Sequence, residues 1–343
     1  MKYKLKRLAA KTMLQLPERT LVRLSGGEPV FLGGRTLDPR TQFILHANRH
    51  IPRSRRLPIA AARKRLDKAS LVLAGKKIKM ACVEDQTIPG PTAPIPIRIY
   101  TPKISQRPAP ALVYYHGGGW AMGSIESHDE TCRFLAQNAG CTVISVDYRL
   151  APEDPFPAGL DDAWAALLWV RNNTQSLDID PDRIAVGGDS AGGNLAAAIC
   201  IRAKQLGEPQ PKAQLLVYPV LDCRADTPSY ETYGEDFLVD KGDMHYFIGL
   251  YLDQTENTNP LVSPLAHDAP EGLAPAVITA AGFDPLHDEA ELYAGKLEAA
   301  GVQVHFRSYS ALTHGYMAMI GAIPTCYRAT LESATLLQTL LNS

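Results

Sequence analysis

The chain has 343 residues, enough for a sizeable core and, at roughly 150 residues per domain, for a little more than two domains. Apolar residues make up 45% and charged residues 21%, a soluble globular composition that excludes collagen-like, disordered and membrane-spanning classes. The net charge of -1 conceals an asymmetry, because residues 1–80 carry 20 Lys and Arg against 4 Asp and Glu, while the remainder carries 15 against 32.

Residues 1 to about 80 read as helices without strands. Leu5, Leu8, Ala9, Leu14 and Leu16 recur at roughly helical spacing, Pro17 punctuates them, and Gly26-Gly27 stops the next turn. Ile88 to Pro96 is locally proline-rich and reads as a linker into the main body. From about Ile97 onward, short β-rich runs at 97–101, 111–115, 142–146, 184–187, 214–218, 276–280 and 303–307 alternate with helical stretches at 127–138, 160–172, 191–206, 288–300 and 327–341. This alternation predicts an α/β fold with a mostly parallel sheet flanked by helices. The stretch from Asp222 to Asp268 is too long for a simple connection between strands and reads as a lid or binding element. The expected organisation is therefore a helical cap segment at 1–80 and a catalytic domain at 81–343, with a cap insertion at about 222–268.

Within Ile184 to Asn194, Gly188, Ser190 and Gly192 form G-x-S-x-G between a strand and an Ala-rich helix, which is the context of a nucleophile elbow. A serine there needs a strained backbone and small neighbours, and the helix beginning at Ala191 aims its positive end at developing negative charge. Earlier, the strand ending at Tyr115 runs into His116-Gly117-Gly118-Gly119-Trp120. The expected oxyanion donors are N–H groups within Gly117, Gly118 and Gly119 together with that of Ala191. A phosphate cradle would place Lys and Ser or Thr after the glycines, whereas Trp120-Ala121-Met122 follows.

A serine nucleophile needs a base and an acid downstream of it in this architecture. His245 and His267 fall in the insertion, His287 sits in Asp284-Pro-Leu-His-Asp-Glu289, and His305 lies in a strand; His314 follows the last strand on a loop beside a glycine. Asp284, after the strand ending at Phe283, is the preferred acid, and Asp222, after the strand ending at Tyr218, competes with it by position.

His116-Gly-Gly-Gly-Trp120, Asp147-Tyr-Arg-Leu-Ala-Pro-Glu153, Phe156-Pro-Ala158, Gly188-Asp-Ser-Ala-Gly192, Asp284-Pro-Leu-His-Asp-Glu289 and His314-Gly-Tyr316 together resemble the hormone-sensitive-lipase-like family of α/β-hydrolases, in its bacterial acetyl-esterase and carboxylesterase branch. The motifs run in the family's order over about residues 80–335. The resemblance implies Ser190 as nucleophile, Asp284 as acid and His314 as base, short to medium acyl esters as substrates, and a cap over the site. Asp189 and Glu289 belong to the same motifs and read as residues that position the site. Tyr316 replaces the Phe that the family often carries, which reads as a change in pocket lining beside Trp120.

The chemistry so implied is serine carboxylesterase chemistry through a covalent acyl-enzyme, which requires no metal and no organic cofactor. The alternative with the same triad is amidase, lactonase or deacetylase activity. A non-catalytic binder on the same scaffold is a third reading, opposed by the presence of all three triad residues. Tyr230, Tyr233, Phe237, Tyr246 and Phe247 supply aromatic character to the insertion, either as acyl pocket or as the lid's own core.

The basic N-terminal part raises nucleic acid or an anionic membrane as partners, but a basic segment lying on an acidic body is the preferred reading. Lys2, Lys4, Lys6, Arg7 and Lys11 flank an apolar stripe suited to weak anionic-membrane contact. Arg53, Arg55, Arg56, Arg63 and Arg65 lack interleaved aromatics, so no nucleic acid partner is expected. A homodimer is compatible with the sequence. The six cysteines show no C-x-x-C pair or zinc spacing and read as buried free thiols, and the N-terminus shows no secretory signal, so a cytoplasmic location is expected.

Overall fold

The computed structural model describes residues 7, 10–73, 75–103 and 107–343. Its centre is an eight-stranded sheet in the order β10-β9-β8-β7-β5-β6-β4-β3. The strands are β3 (Cys82–Ile88), β4 (Ile95–Thr101), β5 (Ala109–Tyr115), β6 (Thr142–Val146), β7 (Ile179–Asp189), β8 (Gln214–Val217), β9 (Ala276–Phe283) and β10 (Val304–Thr313). The pairs from β6 through β5, β7, β8 and β9 to β10 are parallel, and only β3 and β4 run against their neighbours. This is the mostly parallel, helix-flanked sheet that the strand and helix alternation predicts.

Strand β5 shows why the sheet is covered on both faces: every residue in it is buried. Ala111, Val113 and Tyr115 join one apolar cluster, with Leu160 and Leu195 among the helical residues packed there. Leu112 and Tyr114 join the other cluster, with Leu135 and Leu337. Alternate side chains thus feed two cores, and the helices that cover them are amphipathic or wholly apolar. They include α4 (Asp129–Ala139) and α11 (Pro324–Leu341) on one face, and α5 (Ala158–Asn172), α7 (Ala191–Leu206) and α10 (His287–Ala299) on the other.

Two expectations are corrected. The proline-rich stretch at 88–96 is not a linker but the turn of a β3–β4 hairpin, in which Ile88 pairs with Ile95 and Cys82 with Thr101. Strand β3 escaped notice because it is an edge strand with mostly exposed polar residues, so it carries little apolar pattern. The N-terminal part is also not wholly helical: besides α1 (Glu18–Leu24), α2 (Pro39–Asn48) and α3 (Ile59–Leu73), it holds a small hairpin of β1 (Phe31–Leu32) and β2 (Arg35–Thr36), turned by Gly33-Gly34. Asp38 caps α2 by accepting from the N–H groups of Arg40 and Thr41, with Pro39 at the first helical position.

The basic character of this segment is answered by the body. Arg55 bridges Asp240 and Asp243 at 2.6 and 2.8 Å, Arg53 lies 3.3 Å from Asp240, Arg63 pairs with Glu153 at 2.6 Å, and Lys77 lies 3.3 Å from Asp129. Arg65 is held by the carbonyl of Pro52 and the hydroxyl of Ser54. The membrane-contact pattern rests largely on Lys2, Lys4, Leu5, Lys6, Leu8 and Ala9, which lie outside the described residues. No helix among the described residues is long and apolar enough to cross a membrane. Cys132, Cys141, Cys200, Cys223 and Cys326 are buried, whereas Cys82 is exposed on β3, against the expectation of uniformly buried thiols.

Candidate active site

Four of the parallel strands, β5, β7, β9 and β10, deliver the site, because the loops that leave their carboxyl ends open on one edge of the sheet. Tyr115 of β5 pairs with Gly188 of β7, so the loop at His116 begins beside the turn at Ser190. Thr313 of β10 pairs with Phe283 of β9 after a register shift, so His314 and Asp284 are the first residues beyond two neighbouring strands.

Ser190 joins β7 to α7 with φ 55 and ψ -120, a positive φ that a serine tolerates only where the surroundings hold it. They do so by hydrogen bonds: its N–H donates to Val217 O at 2.9 Å, and its carbonyl accepts from Asn194 and Val220. Gly192 is required here, since a Cβ would collide with the carbonyl of Tyr115 at the end of β5. The sharp turn presents Oγ to His314, whose Nε2 lies 2.9 Å away, while His314 Nδ1 lies 2.7 Å from Asp284 Oδ2. The second Asp284 oxygen accepts from the N–H of Leu286 at 3.0 Å, which fixes the carboxylate. Asp222 does not reach the histidine; its carboxylate grips Arg224, and its own N–H donates to Glu289.

One expected oxyanion donor is corrected. The N–H of Gly117 donates to Asp189 Oδ1 at 2.9 Å and is therefore already engaged. The N–H groups of Gly118, Gly119 and Ala191 find no backbone acceptor among the described residues. Gly118 and Gly119 have φ of 124 and 62, and the Phe247 ring lies directly against Gly119, where a Cβ would strike it. His116 itself is buried, stacked on Tyr148 at 4.4 Å, and burial lowers its pKa to about 3, so it is neutral.

Trp120 and Tyr316 do not line a pocket. Trp120 is 1% exposed and stacked face to face on Tyr251 at 4.2 Å, while Tyr316 is fully buried with its hydroxyl 2.8 Å from Thr279 Oγ1. Both support the site from behind. The surfaces that do face the glycine loops are Phe247, against Gly119, and Leu238, against Gly315 next to His314. Of the insertion's aromatics, Tyr233 and Phe237 pack on Phe283, the residue before Asp284, and so dock the insertion onto the site. Tyr230 is buried beside Glu289.

Two buried carboxylates flank the site with opposite behaviour. Burial opposes the charge on Asp189, yet His128 and the hydrogen bonds from Tyr114 and Gly117 hold its carboxyl below the usual range. Glu289 accepts from the N–H groups of Leu221 and Asp222, and burial with the nearby charges of Asp222 and Asp284 pushes its carboxyl well above the usual range. Neither Tyr114 nor His128 stood out in the sequence, because nothing in their spacing links them to Asp189. A cluster of His287, Asp288 and Glu291 has ligand-type atoms close together, but His287 Nε2 already meets Arg35 and Ser308.

The family profile for the alpha/beta hydrolase fold matches residues 112–318. The chain is 41% identical over 304 residues to carboxylic ester hydrolase LipN of Mycobacterium tuberculosis, covering 86% of this chain and 80% of that one. It is 38% identical over 266 residues to ethyl acetate hydrolase of Pseudomonas putida, covering 75% of this chain and 83% of that one. Among solved structures, the hyperthermophilic esterase of the archaeon Pyrobaculum calidifontis is similar with a TM-score of 0.85 at 37% identity, covering 90% of this chain and 99% of that one.

Proposed function

The chain belongs to the hormone-sensitive-lipase-like family of α/β-hydrolases and is a carboxylic ester hydrolase, and from that premise we propose that it acts through a Ser190–His314–Asp284 triad and a covalent acyl-enzyme. The observation that carries the proposal is the unbroken contact from Ser190 Oγ through His314 to Asp284, at 2.9 and 2.7 Å, on three separate strand ends.

In this mechanism Ser190 Oγ attacks the ester carbonyl as its proton passes to His314 Nε2. The Asp284 carboxylate accepts from His314 Nδ1, which fixes the tautomer and stabilises the imidazolium. The tetrahedral oxyanion is received by the N–H groups of Gly118, Gly119 and Ala191, each removal of such a donor being worth about 2.7–4 kcal/mol. Collapse breaks the ester C–O bond, and the leaving alcohol takes the proton from His314. Water then attacks the acyl-Ser190 carbonyl, gives its proton to His314, and releases the acid as Ser190 is reprotonated.

The N-terminal segment to about residue 80 and the insertion at about 222–268 form the cap over this site. The ion pairs from Arg53 and Arg55 to Asp240 and Asp243 support that arrangement. Phe247 and Leu238 close in on the glycine loops and favour short to medium acyl chains. Hydrolysis of p-nitrophenyl esters from acetate to palmitate tests the substrate range: rates should peak at short chains, and a peak at palmitate would contradict it.

A further inference from the structure

Behind the oxyanion loop lies a polar assembly that the triad does not use. Asp189, the residue before Ser190, accepts on Oδ1 from the Tyr114 hydroxyl at 2.6 Å and from the Gly117 N–H at 2.9 Å. The same oxygen lies 3.3 Å from His128 Nε2, in a pair whose two side chains are almost wholly buried. His128 Nδ1 lies 2.9 Å from Ser127 Oγ. Ser127 Oγ also lies 2.9 Å from the carbonyl of Ser124 and accepts from the Ser124 N–H at 2.9 Å. With the Asp189 carboxylate facing Nε2 and a hydroxyl oxygen facing Nδ1, both ring nitrogens meet atoms able to accept, an environment that suits an imidazolium.

We propose that His128 is a positioning residue which, as an imidazolium paired with Asp189, holds Gly117 and thereby aims the Gly118 and Gly119 N–H groups at the oxyanion. The proposal rests on the triad reading above. Asp189 is the single link: it grips the first glycine of the loop and is itself one peptide from the nucleophile. If its charge were unpaired, a buried carboxylate would be free to pull on Gly117 and on the Ser190 turn together.

The groups facing His128 fit this role. Asp189 and, through Ser124 Oγ, Asp67 are anionic neighbours. The His116 ring stacks on His128 at 5.5 Å and is neutral, while Tyr114 lies 6.3 Å away with its ionisation suppressed by burial. Burial opposes the charge on His128, but Asp189 outweighs it and raises the pKa above the ordinary histidine value. The charged form is therefore favoured beyond that of an ordinary histidine and is lost as pH rises through that raised value.

The test is His128→Gln with p-nitrophenyl acetate. The expected result is a fall in kcat of about 10- to 100-fold with KM within about threefold, since the loop contacts the transition state more than the ground state. The Ki of a trifluoromethyl ketone, which forms a tetrahedral adduct, should rise in proportion to the loss of kcat/KM. The alkaline limb of the wild-type kcat profile should disappear. Retention of kcat within about twofold, or a loss of kcat with the ketone Ki unchanged, overturns the proposal. Should the variant fail to fold, histidine NMR of the wild type decides: two ring N–H protons on His128 at pH 7 support the proposal, and a neutral ring overturns it. Ser190→Ala separates the two readings, because an inactive Ser190→Ala beside a fully active His128→Gln leaves the triad intact and removes only this inference.

Discussion

Asp284 and His314 are the first residues beyond β9 and β10, and the pairing of Phe283 with Thr313 sets carboxylate and ring 2.7 Å apart. Asp222 follows β8 at the corresponding strand end, yet its carboxylate turns to Arg224, two residues on. Position in the chain allows either carboxylate; the register of two strands brings Asp284 to the histidine.

Asp284→Asn should therefore lower kcat by about 10³- to 10⁴-fold, because the amide no longer holds the tautomer that accepts the serine proton. Asp222→Asn should keep kcat within a few-fold of wild type. Steady-state hydrolysis of p-nitrophenyl acetate by the two variants checks this, and the reverse ranking would transfer the acid role to Asp222.

Gly192→Ala tests the elbow. The new methyl has no room against the Tyr115 carbonyl, so β5 and α7 must separate. We expect a loss of stability of about 3 kcal/mol or more, read as a lower urea midpoint, together with a drop in kcat. Gly295→Ala is the control, since a Cβ there meets nothing within 4 Å.

Glu289 gives stability a definite dependence on pH. Its folded pKa is raised, so its contribution is complete below the unfolded carboxyl value of about 4.3 and is lost as pH climbs through the folded value. Glu289→Gln carries no titrating proton and should flatten that fall. Urea midpoints at pH 5 and pH 8 measure it: the variant should gain on wild type at the higher pH, and an equal difference at both would contradict the reading.

Arg55 of the N-terminal segment bridges Asp240 and Asp243 of the insertion and is partly open to solvent. Arg55→Met leaves two neighbouring carboxylates with Arg53 alone, and should destabilise the protein by about 1–2 kcal/mol, with a rise in KM as the cap loosens. Thermal melts at low and high salt distinguish this from lost packing, because the difference from wild type should shrink as salt is added.

The fold was legible because its interior strands are continuous apolar runs separated by periodic helices, and Ser190, Asp284 and His314 stood out as candidates because each lies just beyond a strand. What the sequence concealed lies where pattern carries no information. Strand β3 alternates little because it sits at an edge, and Gly117 looked like a donor because the carboxylate that occupies its N–H is 72 residues away. Trp120 and Tyr316 sit beside glycines in chain order but face Tyr251 and Thr279 in space. Side-chain direction, and the partner of a buried polar group, depend on strands brought together by the whole topology.

In the proposed mechanism Ser190 carries the acyl group. The most direct measurement of this is the mass of the intact protein and its peptides after reaction with a p-nitrophenyl alkylphosphonate, alongside the hydrolysis rate of Ser190→Ala. One phosphonyl group per chain is expected, on the peptide containing Ser190, with activity lost in step and Ser190→Ala both unlabelled and inactive. A label on another residue, or hydrolysis by Ser190→Ala at the wild-type rate, would contradict it.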